Sequence, residues 1–211
     1  MAEKNEGETG RMISFSDAIF AFAITLIAFN LKVPDVPRSL AGPELAQWIA
    51  TLLPQLSVYV FSFIIVGIYW ISHHQIFERI KRRDTALTWL NLFFLLLVSL
   101  IPLPAAVLVE YGDTFEAVAL YASFMALCSL MLTAIWVYAS KGRRCIDKSM
   151  GEGEIRARTY NGLASAAVFI LSIPVAAFSP LLAEIVWVAS FFVRRGHHFG
   201  PQNAAAKKRK P

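Results

Sequence analysis

The chain has 211 residues, is 56% hydrophobic and 17% charged, and carries a formal net charge of +5, with a mean hydropathy of +0.53. A soluble domain of this length needs more polar surface, so the balance excludes a water-soluble globular protein and points to area that faces lipid. Cys128 in an apolar run and Cys145 in a basic loop do not make a disulfide framework.

Residues 1–10 (MAEKNEGETG) are polar and are expected to form a mobile cytoplasmic N-terminus. The first apolar run, Met12–Leu31, is long enough to cross a hydrocarbon core of about 30 Å. No small-residue cleavage site follows it, so it is expected to stay as a helix. Asp17 lies inside this run, where a carboxylate costs on the order of 3 kcal/mol at the helix centre and normally faces protein or water.

Three further runs, Trp48–Ser72, Leu87–Val109 and Ala117–Ala139, are also of spanning length. Leu163–Phe178 and Leu181–Val193 are shorter. The residue before a proline avoids the helical region, so Phe178-Ser179-Pro180 predicts a hairpin break between them. Residues 140–160 are expected to be the one sizeable soluble connection, and residues 196–211 a basic cytoplasmic tail. The predicted fold is therefore an all-α integral membrane protein, with a six-helix domain over residues 11–195.

Basic residues sort the loops. With six spans and both ends cytoplasmic, every lysine and arginine except Lys32 and Arg38 falls inside, as the positive-inside rule requires. The tail AAAKKRKP and the basic loops then face anionic lipid headgroups. No nucleic-acid-binding fold accompanies the charge, so nucleic acid is not an expected partner. This topology is that of a multi-pass protein of the cell membrane.

Catalytic spacings are missing. No G-x-S-x-G, H-E-x-x-H or P-loop pattern occurs, and an enzyme is not expected. His73-His74 and His197-His198 are adjacent pairs whose members point about 100° apart on a helix. His74 and Glu78 share a face, but two ligands are too few for zinc. His73 and His74 are expected to hydrogen-bond to neighbours instead. A Thr-Val-Gly-Tyr-Gly filter and an arginine-repeat voltage sensor are missing too.

Helical spacing sorts the first span into three rows. Ser14, Ala18, Ala21, Thr25 and Ala28 are small; Phe15, Ile19, Phe22, Leu26 and Phe29 are bulky; Phe20, Ile24, Ile27 and Leu31 are apolar, with Asp17 at the head of their row. A small row lets another backbone approach closely, so one reading packs the helix on that row and turns the phenylalanines to lipid. Spacing alone leaves open which row faces a pore.

The run Arg11-x-x-x-Phe15-Ser16-Asp17, continued by AIFAFAITLIAFNLKVP, resembles helix 1 of the transmembrane protein 175-like potassium channels. The Tyr-Trp-x-x-His run at 69–73 and the short final hairpin agree more loosely. The resemblance implies a single-repeat prokaryotic form that assembles as a homotetramer, with helix 1 of each subunit lining a central pore. It implies a hydrophobic constriction at Phe22, Leu26 and Phe29, with Thr25 beside it, and K+ as the permeant ion without a cofactor. Arg11, Phe15, Ser16 and Asp17 would form a structural clasp near the cytoplasmic end, with Trp70, His73 and Asn91 as candidate partners for Asp17. Phenylalanine at 22 and 29 replaces the usual Ile or Leu, and Asn30 stands where an acidic residue is usual. The competing readings are a secondary transporter, for which Pro54, Pro102 and Pro104 would break helices, and a non-conducting membrane scaffold.

Overall fold

A computed structural model describes residues 2–29, 31, 42–147 and 149–188. The described residues form eight helices and a short 3-10 turn, Lys141–Arg143. Helix α1 spans Ala2–Phe29. Residues 2–10 thus extend the first span as helix instead of standing apart from it. The 196–211 tail, Asn30, the His197-His198 pair and the end of the expected sixth span lie outside the described residues.

Prolines set the breaks. The second run divides into α2, Pro43–Ala50, and α3, Leu53–Arg79, and the Thr51 hydroxyl donates to the Trp48 carbonyl at 2.6 Å in the joint. Pro54 falls in the first turn of α3, where its missing N–H removes no helical bond. The third run divides into α4, Thr85–Leu100, and α5, Pro102–Tyr111. Pro102 cannot donate to the Val98 carbonyl four residues back; the Ile101 amide takes that acceptor at 3.1 Å. The span bends at Ile101 and continues.

Helix α6, Phe115–Ser140, starts from the N-cap Thr114, whose hydroxyl accepts from the Ala117 amide at 3.3 Å. Its 26 residues rise about 39 Å, enough to cross a bilayer. Helix α7, Glu152–Ala176, begins well ahead of the expected Leu163, which shortens the predicted 140–160 loop. After a turn at residues 177–179, helix α8 occupies 180–188. Five stretches among the described residues are long and apolar enough to span: Gly10–Phe29, Leu45–Arg79, Thr85–Tyr111, Phe115–Arg143 and Glu152–Ala176. The hairpin expected at Phe178-Ser179-Pro180 is present.

Helix α6 is the core element, burying Tyr121, Met125, Cys128, Ile135 and Trp136. It packs most extensively against α7 and also against α4 and α5. Thr133 lies against Gly162, and the Trp136 indole donates to the Ile155 carbonyl at 3.2 Å, so α6 and α7 run antiparallel. A Cβ at position 162 would overlap the Thr133 hydroxyl; glycine is what allows this approach. Trp187 of α8 is buried beside Phe61 and Tyr121 and donates to Ser172 at 2.7 Å. Helix α1 packs on α3 and α4 at the edge of this core.

The two basic loops meet at one end of the bundle. The Lys81 and Arg82 amides both donate to the Cys145 carbonyl, at 2.7 and 3.2 Å, and Arg79 pairs with Glu154 at 3.5 Å. Asp84 caps α4 by accepting from the Leu87 amide at 2.8 Å, and the Tyr138 hydroxyl donates to its second oxygen at 2.7 Å. Those donors hold the Asp84 carboxyl below its ordinary pKa. The same two loops are the ones that basic-residue counting assigned to one side.

Candidate functional site

The buried side of α1 is Met12, Ser16, Phe20, Ala23 and Ile27. These recur every three or four residues and so share one stripe. Phe20 is only 1% exposed, and its ring meets those of His73 and Phe94. Its row therefore packs on neighbouring helices of the same chain and does not face lipid.

The opposite side of α1 is open. Phe15, Phe22 and Phe29 are 52%, 58% and 77% exposed. Ser14, Ala18, Ala21 and Thr25 are exposed as well, while Leu26 and Ala28 are partly covered at the two margins. The small and bulky rows thus form a single open face, and the reading in which α1 packs on its small row within one subunit does not hold. Packing energy decides it: Phe20 and Ile27 bury more apolar area than alanines at 18 and 21 could. Thr25 and Ser14 donate their protons back to the Ala21 and Gly10 carbonyls, at 2.8 and 3.1 Å. Their hydroxyl oxygens keep lone pairs for the open side.

The Phe-Ser-Asp motif makes two separate connections. Asp17 Oδ1 accepts from the Trp70 indole N–H at 2.8 Å, joining α1 to α3. Ser16 is fully buried and belongs to a second chain of bonds. Asn91 Oδ1 is 2.9 Å from His73 Nε2, Asn91 Nδ2 donates to Ser16 Oγ at 3.1 Å, and Ser16 Oγ donates to the Met12 carbonyl at 2.9 Å. Because Asn91 accepts through its oxygen, His73 donates through Nε2, and its buried Nδ1 has no hydrogen-bond partner among the described residues.

Of the three partners expected for Asp17, only Trp70 bonds to it. His73 and Asn91 serve Ser16 instead. The reason is rotation: residue 16 points into the α1–α3–α4 junction, and residue 17, about 100° round the helix, points to its margin. His73 sits in an aromatic enclosure, stacked on Phe77 at 4.2 Å and on Phe94 at 5.7 Å. Arg11 is exposed on α1, and Phe15, though part of the motif, belongs to the open face. His74 and Glu78 approach to 3.2 Å, and no group of three or more metal-ligating side chains occurs among the described residues.

Sequence reasoning missed a second set of polar contacts behind the motif. The Tyr69 hydroxyl donates to the Met125 carbonyl at 2.6 Å and lies 2.9 Å from Ser129 Oγ, and Ser62 Oγ lies 3.1 Å from the Tyr121 hydroxyl. The signal was available as Ser62 and Ser129 interrupting apolar runs, since polar side chains in lipid-buried helices find partners on their neighbours. These bonds fix α3 to α6 and so fix the platform on which α1 is held.

A family model described as the endosomal/lysosomal potassium channel TMEM175 matches residues 11–102. A potassium channel of Streptomyces collinus is 37% identical over 156 residues, covering 71% of this chain and 73% of that one. A potassium channel of Chamaesiphon minutus is 31% identical over 157 residues, covering 73% and 77%. The human endosomal/lysosomal proton channel TMEM175 is 30% identical over 139 residues, which are 61% of this chain and 27% of the human one. The crystal structure of a lysosomal potassium-selective channel TMEM175 homolog from Chamaesiphon minutus superposes with a TM-score of 0.77 at 28% identity, covering 90% of this chain and 98% of that chain.

Proposed function

The chain belongs to the TMEM175 family of potassium channels, and from that membership we propose that it conducts K+ passively as a homotetramer whose pore is lined by α1 of each subunit. It is a membrane channel and not an enzyme, and K+ is its permeant ion. The observation that carries the pore assignment is the open face of α1. A spanning helix fully bonded on one side to α3 and α4 presents Phe22, Thr25 and Phe29 on the other, with Leu26 at its edge.

Arranged about an axis, Phe22, Leu26 and Phe29 form apolar rings that make a water column unfavourable until the constriction widens. Thr25 supplies hydroxyl oxygens that replace part of the hydration shell of an ion, which favours the more easily dehydrated K+ over Na+. Phenylalanine at 22 and 29 makes a tighter closed state than Ile or Leu would. The assembly sits in the cell membrane with both termini cytoplasmic, and its basic loops and tail meet anionic headgroups.

Purified protein in K+-loaded liposomes tests the proposal. Passive, uncoupled K+ efflux is the expected result. Slow, saturable flux that needs a co-ion would replace the channel with a transporter, and no flux with a scaffold.

A further inference from the structure

A notch of about 560 Å³ opens between the end of α6 and the start of α7, lined by Val137, Ser140, Lys141, Arg143, Ile155 and Thr159, with Gly142 and Glu152 completing it. We propose that this notch is a binding site for the phosphate of an anionic phospholipid, whose acyl chains descend along the groove between α6 and α7. The proposal rests on the membrane placement given above and is independent of conduction.

Three features place a lipid there. Depth comes first: Lys141 follows the last residue of a spanning helix, so the notch lies where hydrocarbon gives way to headgroups. Continuity comes second. Leu127, Leu130, Ala134 and Val137 are exposed at spacings of three and four residues and lead along one face of α6 to Lys141. On α7, Ile155 and Thr159 lead to the exposed Leu163 and Ile170 in the same way. Two apolar rails therefore run from the notch into the bilayer.

Charge is the third feature. Lys141 and Arg143 face Glu152 across the notch, and Arg143 donates to Glu152 at 3.2 Å. That contact orients the guanidinium, and two cations against one carboxylate along the lining suit a phosphodiester. Arg143 is also the one positive-φ non-glycine among the described residues, at φ 52°, beside Gly142 at φ 61°. A left-handed arginine is an uncommon backbone choice, and here it carries the guanidinium round to the notch.

The experiment is native mass spectrometry of the full chain in detergent, titrated with phosphatidylglycerol or phosphatidylcholine. One phosphatidylglycerol retained per chain, in preference to phosphatidylcholine, is expected. The double variant Lys141→Ala/Arg143→Ala should weaken retention about tenfold or more, given the contribution of each basic residue at an anionic surface. Lys81→Ala/Arg82→Ala, in the adjoining loop, removes only general headgroup attraction and should weaken retention less than the notch variant does. Val137→Trp fills the apolar wall without touching the charges and should also reduce retention, which covers a double variant that fails to fold.

Unchanged retention in both notch variants overturns the proposal. Equal retention of phosphatidylcholine overturns the anionic preference. Displacement by millimolar inorganic phosphate reassigns the notch to a soluble oxyanion. Cross-linking of residue 137 to a second copy reassigns the face to a subunit contact. Lipid retention without K+ flux would overturn conduction and leave this site standing.

Discussion

Asp17 Oδ1 and Trp70 Nε1 are 2.8 Å apart, and this bond ties α1 to α3 at the edge of the motif. A hydrogen bond to a charged acceptor contributes about 1.5–3 kcal/mol, and this one answers the cost of placing a carboxylate in a spanning helix. It also lies beside the face assigned to the pore, so it holds the orientation of that face. Asp17→Ala should lower the thermal midpoint and the oligomer fraction in size-exclusion chromatography, with K+/Na+ preference nearly unchanged. Trp70→Phe should reproduce the loss in part. A variant that assembles normally with altered ion preference would make Asp17 a permeation residue.

Asn91 bridges His73 and Ser16 in a buried site. Asn91→Leu removes both bonds: His73 Nε2–H loses its acceptor, at a cost of about 1–3 kcal/mol, and Ser16 Oγ keeps only its bond to the Met12 carbonyl. Ser16→Ala removes one partner and should cost less. Thermal denaturation of the detergent-solubilised protein checks the order, and a larger loss in Ser16→Ala than in Asn91→Leu would contradict the directed chain of bonds.

Phe22→Ala should raise resting K+ conductance and weaken discrimination against Na+, because it removes an apolar ring from the open face of α1. Phe20 is not a neutral control. It is buried against His73 and Phe94, so Phe20→Ala should destabilise the fold by about 3–5 kcal/mol. Leu171→Ala, on an exposed position of α7, is the better control and should conduct like the parent. Liposome flux separates them, and parental conduction by Phe22→Ala would move the pore face elsewhere.

Gly162→Ala should destabilise the α6–α7 pair, since the added Cβ overlaps the Thr133 hydroxyl. Overpacking of this kind costs about 1–3 kcal/mol. Thr133→Ala relieves the overlap, so the double variant should recover most of the lost thermal midpoint. Additive losses would show that the two positions are not coupled.

Asp84 gives a pH signature outside the spans. Its folded pKa is lowered from the ordinary 3.8, first by the Leu87 amide and then by the Tyr138 hydroxyl. Its contribution to stability is therefore fully present above 3.8 and is lost as pH falls through the depressed folded value. Asp84→Asn should differ from the parent in thermal midpoint at pH 6, and the difference should shrink at pH 3. A difference that grows on acidification would reverse the sign of the shift.

Sequence by itself determined the membrane class, the spanning runs and the motif. Hydropathy runs report transfer to lipid directly, without knowledge of how the spans pack. Pro102 acts locally, because its missing N–H leaves the Val98 carbonyl without the donor four residues on. Tertiary structure decided what local spacing cannot encode. Rows of small and bulky residues on α1 are adjacent on the helix surface, and only packing against α3 and α4 shows that both lie open while Phe20 and Ile27 are buried. Likewise, Ser16 and Asp17 are neighbours in sequence, yet a rotation of about 100° sends one to Asn91 and the other to Trp70. Partner choice depends on where three helices meet, and that is a property of the fold, not of the motif.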